Sequence, residues 1–364
     1  MKNKIPLANK TILITGAAGF IGANLVTALL KRGEPVRVVG IDNLNDYYDP
    51  ALKDHRLARI GETAREHPAA TWVFQKADIA DRAAVDAVFS EYEPDIVVNL
   101  AAQAGVRYSI DHPDNYIQSN IIGFYNIIEA FRTLYARDDG HALHLVYASS
   151  SSVYGENKQI PFRVEDPVEH PVSLYAATKK SNELIAYSYS KLYGLPVTGL
   201  RFFTVYGPAG RPDMAYYSFA EKLRQGKTIE IFNYGNCKRD FTYVDDIVEG
   251  VARVMCSAPV PDADEEGLPV PPYALYNIGN ASPENLMDFV SILKDALVRA
   301  GVLDASFDLQ QHMELVPMQK GDVPVTYADV SALERDYGFH PATPLAEGLH
   351  RFAKWYAKYY NNER

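Results

Sequence analysis

The sequence predicts an α/β fold, in which a doubly wound parallel sheet is joined to a smaller C-terminal lobe. Short runs of β-branched and apolar residues alternate with segments of helical period between residues 11 and 279. The runs are mostly apolar rather than alternating, which is typical of strands covered by helices on both faces. The β-α-β-α order then favours parallel strands connected by crossover helices.

Each predicted strand is a short apolar run followed by a turn or a helical segment. The seven runs are TILIT (11–15), VRVVGI (36–41), TWVFQ (71–75), IVVNL (96–100), LHLVYA (143–148), VTGLRFF (197–203) and ALYNIG (274–279). Helices are predicted between them, where apolar residues recur on one face. The members of two such faces are Ile21, Leu25 and Leu29, and Ile117, Ile121, Phe124 and Ile128.

The pattern changes near residue 205 into aromatic segments that are rich in glycine and proline. We expect these segments, with two helices near 284–300 and 344–358, to form a lobe over the carboxyl edge of the sheet. The stretch PVPDADEEGLPVPP (259–272) is predicted to be an acidic surface loop. The predicted division is a first domain of residues 1–204 plus about 241–280, and a second of about 205–240 and 281–364.

Composition and charge restrict the class of protein. Of the 364 residues, 47% are hydrophobic and 23% are charged, which favours a packed core over disorder. The net charge of −10 argues against nucleic acid as a general partner, because its phosphates would be repelled. No apolar run is long enough for a membrane span, and the first ten residues lack the core of a signal peptide. Cys237 and Cys256 form no CxxC pair and are interpreted as reduced thiols, so we expect a cytoplasmic protein.

A glycine-rich turn follows the first predicted strand. Gly16, Gly19 and Gly22 stand between TILIT and a predicted helix, where a backbone free of side chains can approach a pyrophosphate at the helix N-terminus. Asp42 ends the second strand, and a carboxylate there favours the ribose of NAD over the 2′-phosphate of NADP. Asp78 and Ile79, after the third strand, are candidates for holding the adenine.

A tyrosine and a lysine four residues apart on a helix can form a general base, because the cation lowers the pKa of the phenol from about 10. This spacing occurs four times, at Tyr154/Lys158, Tyr175/Lys179, Tyr187/Lys191 and Tyr234/Lys238. Only the second pair opens a long helical pattern that follows the strand 143–148. We therefore predict that Tyr175 and Lys179 are catalytic and that the other pairs lie at the surface without a role.

Four serines, at 149–152, stand where the strand 143–148 ends. Catalytic side chains gather at the carboxyl ends of strands in this architecture. The run is therefore interpreted as a set of hydrogen-bond donors to a substrate and not as a solvated linker.

The motifs together identify a family. The glycine triplet, Asp42, NLAAQAGV, SSSSVYG, YAATK and KRDFTYVDD resemble the extended short-chain dehydrogenase/reductases of Rossmann fold over nearly the whole chain. Among these the chain resembles the nucleotide-sugar 4-epimerases, most closely those that act on UDP-glucuronate. The segment RFFTVYGPAGRPDMA (201–215) is the most specific for the narrower resemblance.

The resemblance implies tightly bound NAD in the first domain and a UDP-sugar substrate in the second. The implied NAD contacts are Gly16, Gly19, Phe20, Ile21, Gly22, Asp42, Asn43, Asp78, Ile79, Leu100, Ala101, Ala102, Asn120, Tyr175 and Lys179. The implied substrate contacts are Ser150, Ser151, Ser152, Tyr175, Thr204, Arg211 and Arg239. Ser150 is the implied hydroxyl partner of Tyr175. Sugar dehydratases carry an Asp-Glu pair where this chain has Ser151-Ser152, which favours epimerisation.

The implied reaction is oxidation at carbon 4 of the sugar by NAD, rotation of the 4-keto sugar and return of the hydride to its other face. Arg239 is expected to bind the diphosphate; a surface pair with Asp240 is the alternative. Arg211 and Thr204 are expected to hold the uronate carboxylate in an orientation that prevents loss of carbon dioxide.

Other interpretations remain open at this stage. They are a neutral UDP-sugar 4-epimerase of the UDP-glucose or UDP-N-acetylglucosamine type, a UDP-glucuronate decarboxylase and, more remotely, a catalytically silent NAD-binding protein. No metal site is implied. The family usually forms homodimers through the helices that carry NIIGFYNIIEAF and the Tyr/Lys motif, so a homodimer is expected.

Overall fold

The structure is a computed structural model that describes residues 2–137, 143–319 and 323–362. The strands are β1 Lys2–Lys4, β2 Thr11–Thr15, β3 Arg37–Asp42, β4 Thr71–Lys76, β5 Ile96–Asn99, β6 His144–Ser150, β7 Val197–Phe202, β8 Thr204–Tyr206, β9 Ile229–Ile231, β10 Lys238–Tyr243, β11 Ser257–Pro259, β12 Asp262–Ala263, β13 Pro269–Val270, β14 Tyr273–Ile278, β15 Pro283–Asn285 and β16 Met313–Leu315. The α-helices are α1 Phe20–Lys31, α2 Ala51–Glu66, α3 Arg82–Tyr92, α4 Tyr108–Asp111, α5 Pro113–Tyr116, α6 Gly123–Tyr135, α7 Leu174–Tyr193, α8 Ala215–Arg224, α9 Val244–Met255, α10 Leu286–Arg299, α11 Ser331–Tyr337 and α12 Leu345–Asn362. Within these ranges, no helix combines the length and the apolarity that crossing a membrane requires.

The central element is a seven-stranded sheet of order β14-β7-β6-β5-β2-β3-β4. All seven predicted strands are present in it, and their bounds differ from the predicted ones by at most two residues. The pairings from β7 through β4 are parallel, which confirms the predicted doubly wound sheet. β2 lies between β3 and β5, so the chain leaves it in opposite directions, and such a switch point opens a crevice at the carboxyl ends of the strands.

The burial of the strands explains their uniform apolarity. Every residue of β5 and of β7 is buried, because helices cover both faces of the sheet. β4 is the edge strand, and its residues are partly or fully exposed. On the neighbouring strand, a Cβ at Gly40 would lie 2.3 Å from the ring of Trp72, so only glycine leaves room for this indole.

The predicted helical faces are only partly confirmed. Leu25 and Leu29 of α1 are fully buried, as the period predicts. Phe124 and Ile128 are also buried, but Ile117 is 40% exposed. The prediction that Ile117 shares their face is wrong because residues Ile117–Ile122 form a π-helix, whose wider turn shifts the side chains out of the 3.6-residue phase.

The described residues form two compact units. The first comprises the described residues within 1–155, 167–202 and 248–276, and the second those within 156–166, 203–247 and 277–364. Compared with the predicted division, the second unit also takes residues 156–166, 203–204, 241–247 and 277–280. The predicted loop 259–272 is wrong in one respect: β12 and β13 pair as a small exposed hairpin, in which Gly267 adopts a φ of 79° at the turn.

The second unit has its own small sheet, of order β15-β10-β8, in which β10 pairs with β8 in parallel. α10 and α12 confirm the two predicted helices, whereas α8 and α11 were not predicted. Aromatic residues pack the interior: the rings of Phe241 and Phe289 stack at 4.4 Å, and those of Tyr216 and Phe352 meet edge to face at 4.8 Å. The aromatic composition of this part of the sequence thus corresponds to a core.

His144, at the start of β6, predicts how stability depends on pH. Its ring is fully buried between the carbonyl of Met255 and the hydroxyl of Thr198, and burial lowers its pKa to about 4. Histidine in the unfolded chain has a pKa near 6.5, so above that pH His144 is neutral in both states and does not lower the free energy of unfolding. As the pH falls from about 6.5 to 4, the unfolded chain takes up a proton that the folded chain does not, and the free energy of unfolding decreases by about 3 kcal/mol in total.

We expect His144→Asn to flatten this decline when unfolding in urea is measured between pH 7 and 4. His170→Asn, at an exposed histidine, is the matched control and should retain the wild-type slope. An unchanged slope in His144→Asn would contradict the assignment.

Candidate active site

The glycine loop is closed so tightly that side chains are excluded. A Cβ at Gly22 would lie 2.2 Å from the carbonyl oxygen of Gly16, and a Cβ at Gly16 would lie 2.8 Å from the amide nitrogen of Ala101. Gly16 also has a φ of 69°, which favours glycine. Gly19 caps α1 without a side chain, and no acidic residue occupies the first turn, so the positive end of the helix can receive a phosphate.

Asp42, at the end of β3, is 8% exposed and is held by the backbone. Its carboxylate accepts hydrogen bonds from the amides of Ala18 (3.2 Å) and Leu44 (2.9 Å). Lys53 lies behind it, with its Nζ 3.9 Å from Asp42 Oδ1. Burial lowers the pKa of Lys53, and the charge of Asp42 partly opposes this effect. The structure thus orients Asp42 between the glycine loop and the following turn.

The ends of the neighbouring strands add further predicted residues. Asn43 donates to the Asp78 carboxylate at 2.9 Å, so the two turns that follow β3 and β4 are linked. Asn126 of α6 donates to the carbonyl of Ile79 at 2.9 Å, and the Ile79 side chain is buried against Gly123. On the other side of β2, Thr15 accepts from the amide of Ala101 at 3.0 Å.

Asn120 lies in the π-helix and is 1% exposed. Its side-chain oxygen accepts from the amide of Gln103 at 2.8 Å, and its Nδ2 donates to Thr178 Oγ1 at 3.0 Å. Asn182 donates to the carbonyl of Asn120 at 2.6 Å. The π-turn, a feature often found at functional sites, is therefore fastened to α7.

Tyr175 and Lys179 lie in the first two turns of α7, which begins after the N-cap Ser173. Lys179 is 4% exposed, and its Nζ donates to the carbonyl of Ala148 on β6 at 2.9 Å. Burial lowers the pKa of Lys179 to about 8, so the ammonium remains charged at neutral pH. Tyr175 is half-buried, and its ring meets that of Tyr116 edge to face at 6.1 Å.

The serine run divides into two parts. Ser149 is buried and donates to Glu183 at 2.7 Å, which makes it a structural link. Ser150 caps a short 3-10 helix at Ser151–Tyr154, and its hydroxyl lies 2.5 Å from that of Ser152. Ser150 therefore ends β6, the strand whose Ala148 carbonyl accepts from Lys179, and Ser151 and Ser152 follow it in the 3-10 helix.

Glu183 and Arg201 were not predicted. Arg201 Nε and Nη2 donate to the two carboxylate oxygens of Glu183 at 2.9 and 3.0 Å, and the two side chains are 2% and 3% exposed. The Arg201 guanidinium also lies over the ring of Tyr154, 4.8 Å from its centroid. A sequence signal for Glu183 did exist, because it continues the spacing of Tyr175 and Lys179 by one more helical step.

The other Tyr/Lys pairs are not all at the surface. Tyr187 and Tyr234 are exposed, as predicted. Tyr154 is buried beneath Arg201, so its placement at the surface is wrong. The physical reason is that the strand end turns inward through the 3-10 helix, which a spacing rule does not register.

The second unit carries Thr204, Arg211 and Arg239. Thr204 starts β8 and is paired in register with Phe241 of β10. Arg211 lies in the turn between β8 and α8 and forms a two-pronged ion pair with Asp213, with Nε–Oδ1 at 3.0 Å and Nη2–Oδ2 at 2.6 Å. The two side chains are 24% and 30% exposed.

Arg239 donates from Nη1 to the carbonyls of Lys238 and Pro324, both at 3.1 Å. The alternative of a surface pair with Asp240 fails because Asp240 is fully buried. Its carboxylate accepts from the amides of Asn280, Ala281 and Ala328 at 2.8, 3.1 and 3.0 Å, respectively. Burial nevertheless raises the pKa of Asp240 to about 6. Asp240 thus connects the segments that carry Asn280, Ala281 and Ala328, a structural role that the sequence did not predict.

The chain is similar to known proteins over nearly its whole length. The profile of the NAD dependent epimerase/dehydratase family matches residues 12–278. "Protein CapI" of Staphylococcus aureus is 47% identical over 96% of this chain and 99% of its own length. UDP-glucuronate 4-epimerase 4 of Arabidopsis thaliana is 42% identical over 97% of this chain and 77% of its own length.

A solved structure has the same fold. The crystal structure of UDP-glucuronic acid 4-epimerase from Bacillus cereus, in complex with UDP-glucuronic acid and NAD, superposes with a TM-score of 0.78. The two sequences are 29% identical, and the match covers 96% of this chain and 99% of that one.

The tight glycine loop predicts the effect of one added methyl group. We expect Gly22→Ala to abolish retention of the dinucleotide, because its Cβ would meet the Gly16 carbonyl at 2.2 Å and open the loop. The measurement is the amount of NAD that remains with the purified protein. Gly61→Ala, in the middle of α2 with only a contact at 3.8 Å, is the matched control and should retain NAD. Equal NAD content in the two variants would contradict the role of the loop.

Proposed function

The chain belongs to the NAD-dependent epimerase/dehydratase family, and we propose that it is an NAD-dependent UDP-glucuronate 4-epimerase, which interconverts UDP-glucuronate and UDP-galacturonate. The observation that carries the proposal is the hydrogen bond from Lys179 to the carbonyl of Ala148. Lys179 lies one helical turn after Tyr175 on α7, and Ala148 lies two residues before Ser150 on β6. The kinship with UDP-glucuronate 4-epimerases supports the choice of substrate.

The first unit fits NAD. We assign the pyrophosphate to the N-terminus of α1, where Gly16, Gly19 and Gly22 form the loop, the cap Gly19 carries no side chain and the first turn has no acidic residue. The adenosine ribose is assigned to Asp42 with Asn43 beside it, and the adenine to Asp78 and Ile79. Further contacts with the dinucleotide are assigned to Phe20, Ile21, Leu100, Ala101, Ala102 and Asn120. Bound NAD would supply an acceptor for the hydride of carbon 4 of the sugar and a donor for its return to the opposite face. Because net oxidation of the sugar is zero, the cycle would require no exchange of the cofactor.

Tyr175 is the general base in this proposal. As a phenolate it takes the proton of the sugar 4-hydroxyl and later returns it, and the ammonium of Lys179 stabilises the negative charge. Ser150 hydrogen-bonds the same sugar oxygen, and Ser151 and Ser152 contact the ring. The absence of an Asp-Glu pair at positions 151 and 152 removes the acids that a dehydratase needs, so proton transfer at carbon 4 is the chemistry that these residues support.

The second unit binds the UDP-sugar. Arg239 is assigned to the diphosphate, so that the nucleotide stays anchored while the sugar turns. The 4-keto form of a uronate is a β-keto acid, which loses carbon dioxide when its carboxyl bond stands perpendicular to the carbonyl plane. Arg211 and Thr204 are assigned to hold the carboxylate away from that orientation. A charge-assisted bond of about 1.5–3 kcal/mol biases the rotamer by roughly ten- to hundredfold.

Assembly and location complete the proposal. Apolar side chains are exposed on the helices expected to pair two copies: Ile117, Ile122 and Tyr125 on the π-helix and α6, and Leu184 and Tyr187 on α7. Burying these faces against a second copy makes a homodimer, which sedimentation at micromolar concentration tests; a monomer there would overturn it.

The two cysteines, which form no disulfide, support a cytoplasmic location, and export of the native protein to an oxidising compartment would contradict it.

The function is tested by incubating purified protein with UDP-glucuronate, without added NAD, and following the sugar signals by proton NMR. We expect UDP-galacturonate to appear until the two uronates reach equilibrium. A decarboxylated pentose as the main product would indicate a decarboxylase. Turnover of UDP-glucose or UDP-N-acetylglucosamine alone would indicate a neutral-sugar epimerase, and no turnover would indicate a silent binding protein.

Tyr175→Phe should lower kcat by at least the roughly 10²–10⁴-fold that is typical of a general base, with little effect on bound NAD. Tyr187→Phe, at the exposed pair on the same helix, should retain wild-type kcat. The wrong tyrosine has been assigned if Tyr187→Phe is the damaging change.

Arg211→Ala should lower kcat/KM for UDP-glucuronate and release a decarboxylated pentose, because the carboxylate then samples the reactive orientation. The products are separated by chromatography and compared with those of the wild type. Wild-type turnover without pentose would reject the role of Arg211.

A further inference from the structure

Arg211 is already paired with a carboxylate of this chain. Asp213 accepts two parallel hydrogen bonds from its Nε and Nη2, at 3.0 and 2.6 Å. Two-pronged pairing of this kind is the way in which arginine recognises a carboxylate. The Asp213 carboxylate therefore occupies the N–H groups of Arg211 that a uronate carboxylate would use under the proposed function.

We propose that Asp213 is an internal competitor for the substrate carboxylate and thereby sets the selectivity between uronate and neutral UDP-sugars. The inference rests on the proposed function, because it requires Arg211 to bind the uronate. A uronate must displace Asp213 from the guanidinium before its own carboxylate can form the same pair. A neutral sugar leaves the Arg211–Asp213 pair intact and incurs no such loss.

The surroundings of Asp213 permit this exchange. Its side chain is 30% exposed, so a displaced carboxylate can be solvated. Asp213 also precedes Met214, the N-cap of α8, where the positive end of the helix favours a negative charge whether or not Arg211 is paired. The turn stores backbone strain, since buried Ala209 adopts a φ of 52°, which is unfavourable for a residue with a Cβ.

The exchange has a definite sign. Removing the charge of Asp213 frees the guanidinium of its competitor, so affinity for the uronate should rise. If Asp213 instead held Arg211 in position for the substrate, the same change would lower that affinity. UDP-glucuronate carries one negative charge more than UDP-glucose, so loss of the Asp213 charge also favours the uronate through long-range electrostatics. Salt screens this contribution, and the ratio of the dissociation constants is therefore compared at about 1 M salt, where the Debye length is about 3 Å.

The experiment measures Kd for UDP-glucuronate and UDP-glucose by calorimetry on the NAD-loaded holoenzyme. In Asp213→Asn, the ratio of the Kd for UDP-glucose to the Kd for UDP-glucuronate should rise by about two- to fivefold, the range for a partly exposed ion pair. An unchanged or lower ratio overturns the proposal. Asp86→Asn, which removes the charge of an exposed carboxylate that accepts from Arg82 Nε on α3, is the control and should leave the ratio unchanged; a similar rise there also overturns it.

Arg211→Ala separates this inference from the proposed function. The ratio should fall in that variant, and Asp213→Asn should have no further effect on it in the Arg211→Ala background. If Arg211→Ala leaves the ratio unchanged, the assignment of the carboxylate to Arg211 fails, and the inference fails with it. If Arg211→Ala lowers the ratio but Asp213→Asn does not raise it, only the inference fails. Thermal unfolding of each variant verifies that α8 and its unit remain folded.

Discussion

The register between α7 and β6 is the constraint on which the catalytic geometry depends. Lys179 donates to the Ala148 carbonyl and Glu183 accepts from Ser149, so two consecutive residues of the strand are tied to two consecutive turns of the helix. Tyr175, the proposed base on the helix, and the hydroxyls at the strand end therefore cannot shift independently. Arg201 completes the arrangement from β7, because it neutralises the buried Glu183.

The contact between α7, β6 and β7 uses buried charged groups, whose desolvation costs more free energy than the burial of apolar side chains of similar size. Removing one partner of a buried ion pair costs about 3–5 kcal/mol, because the other charge remains without compensation. The gain is directional: hydrogen bonds fix a helix along its axis, whereas apolar side chains tolerate sliding. The same device recurs at Asp42 and Asp240, whose carboxylates gather backbone amides from separate segments and so hold the turns beside the binding residues.

Most of the sheet and half of the site could be predicted because their signals are local. A strand covered on both faces is apolar throughout, so the runs TILIT and IVVNL predict the buried strands β2 and β5. The glycine triplet is also predictable from sequence, because backbone atoms occupy the space that a side chain at Gly16, Gly19 or Gly22 would need. Prediction failed where phase or direction changed: the π-turn exposes Ile117, and the 3-10 turn buries Tyr154.

The sequence by itself determined the order of strands and helices along the chain, the glycine loop and the helix that carries Tyr175 and Lys179, because each depends on residues that are near in the chain. Only the tertiary structure decided which polar groups are joined over long separations: Glu183 with Arg201, Asp240 with three distant amides, and Asn120 with Thr178. The physical reason is that a hydrogen bond depends on the position of both partners in space. Spacing along the chain gives that position within a helix or a strand, but not between them.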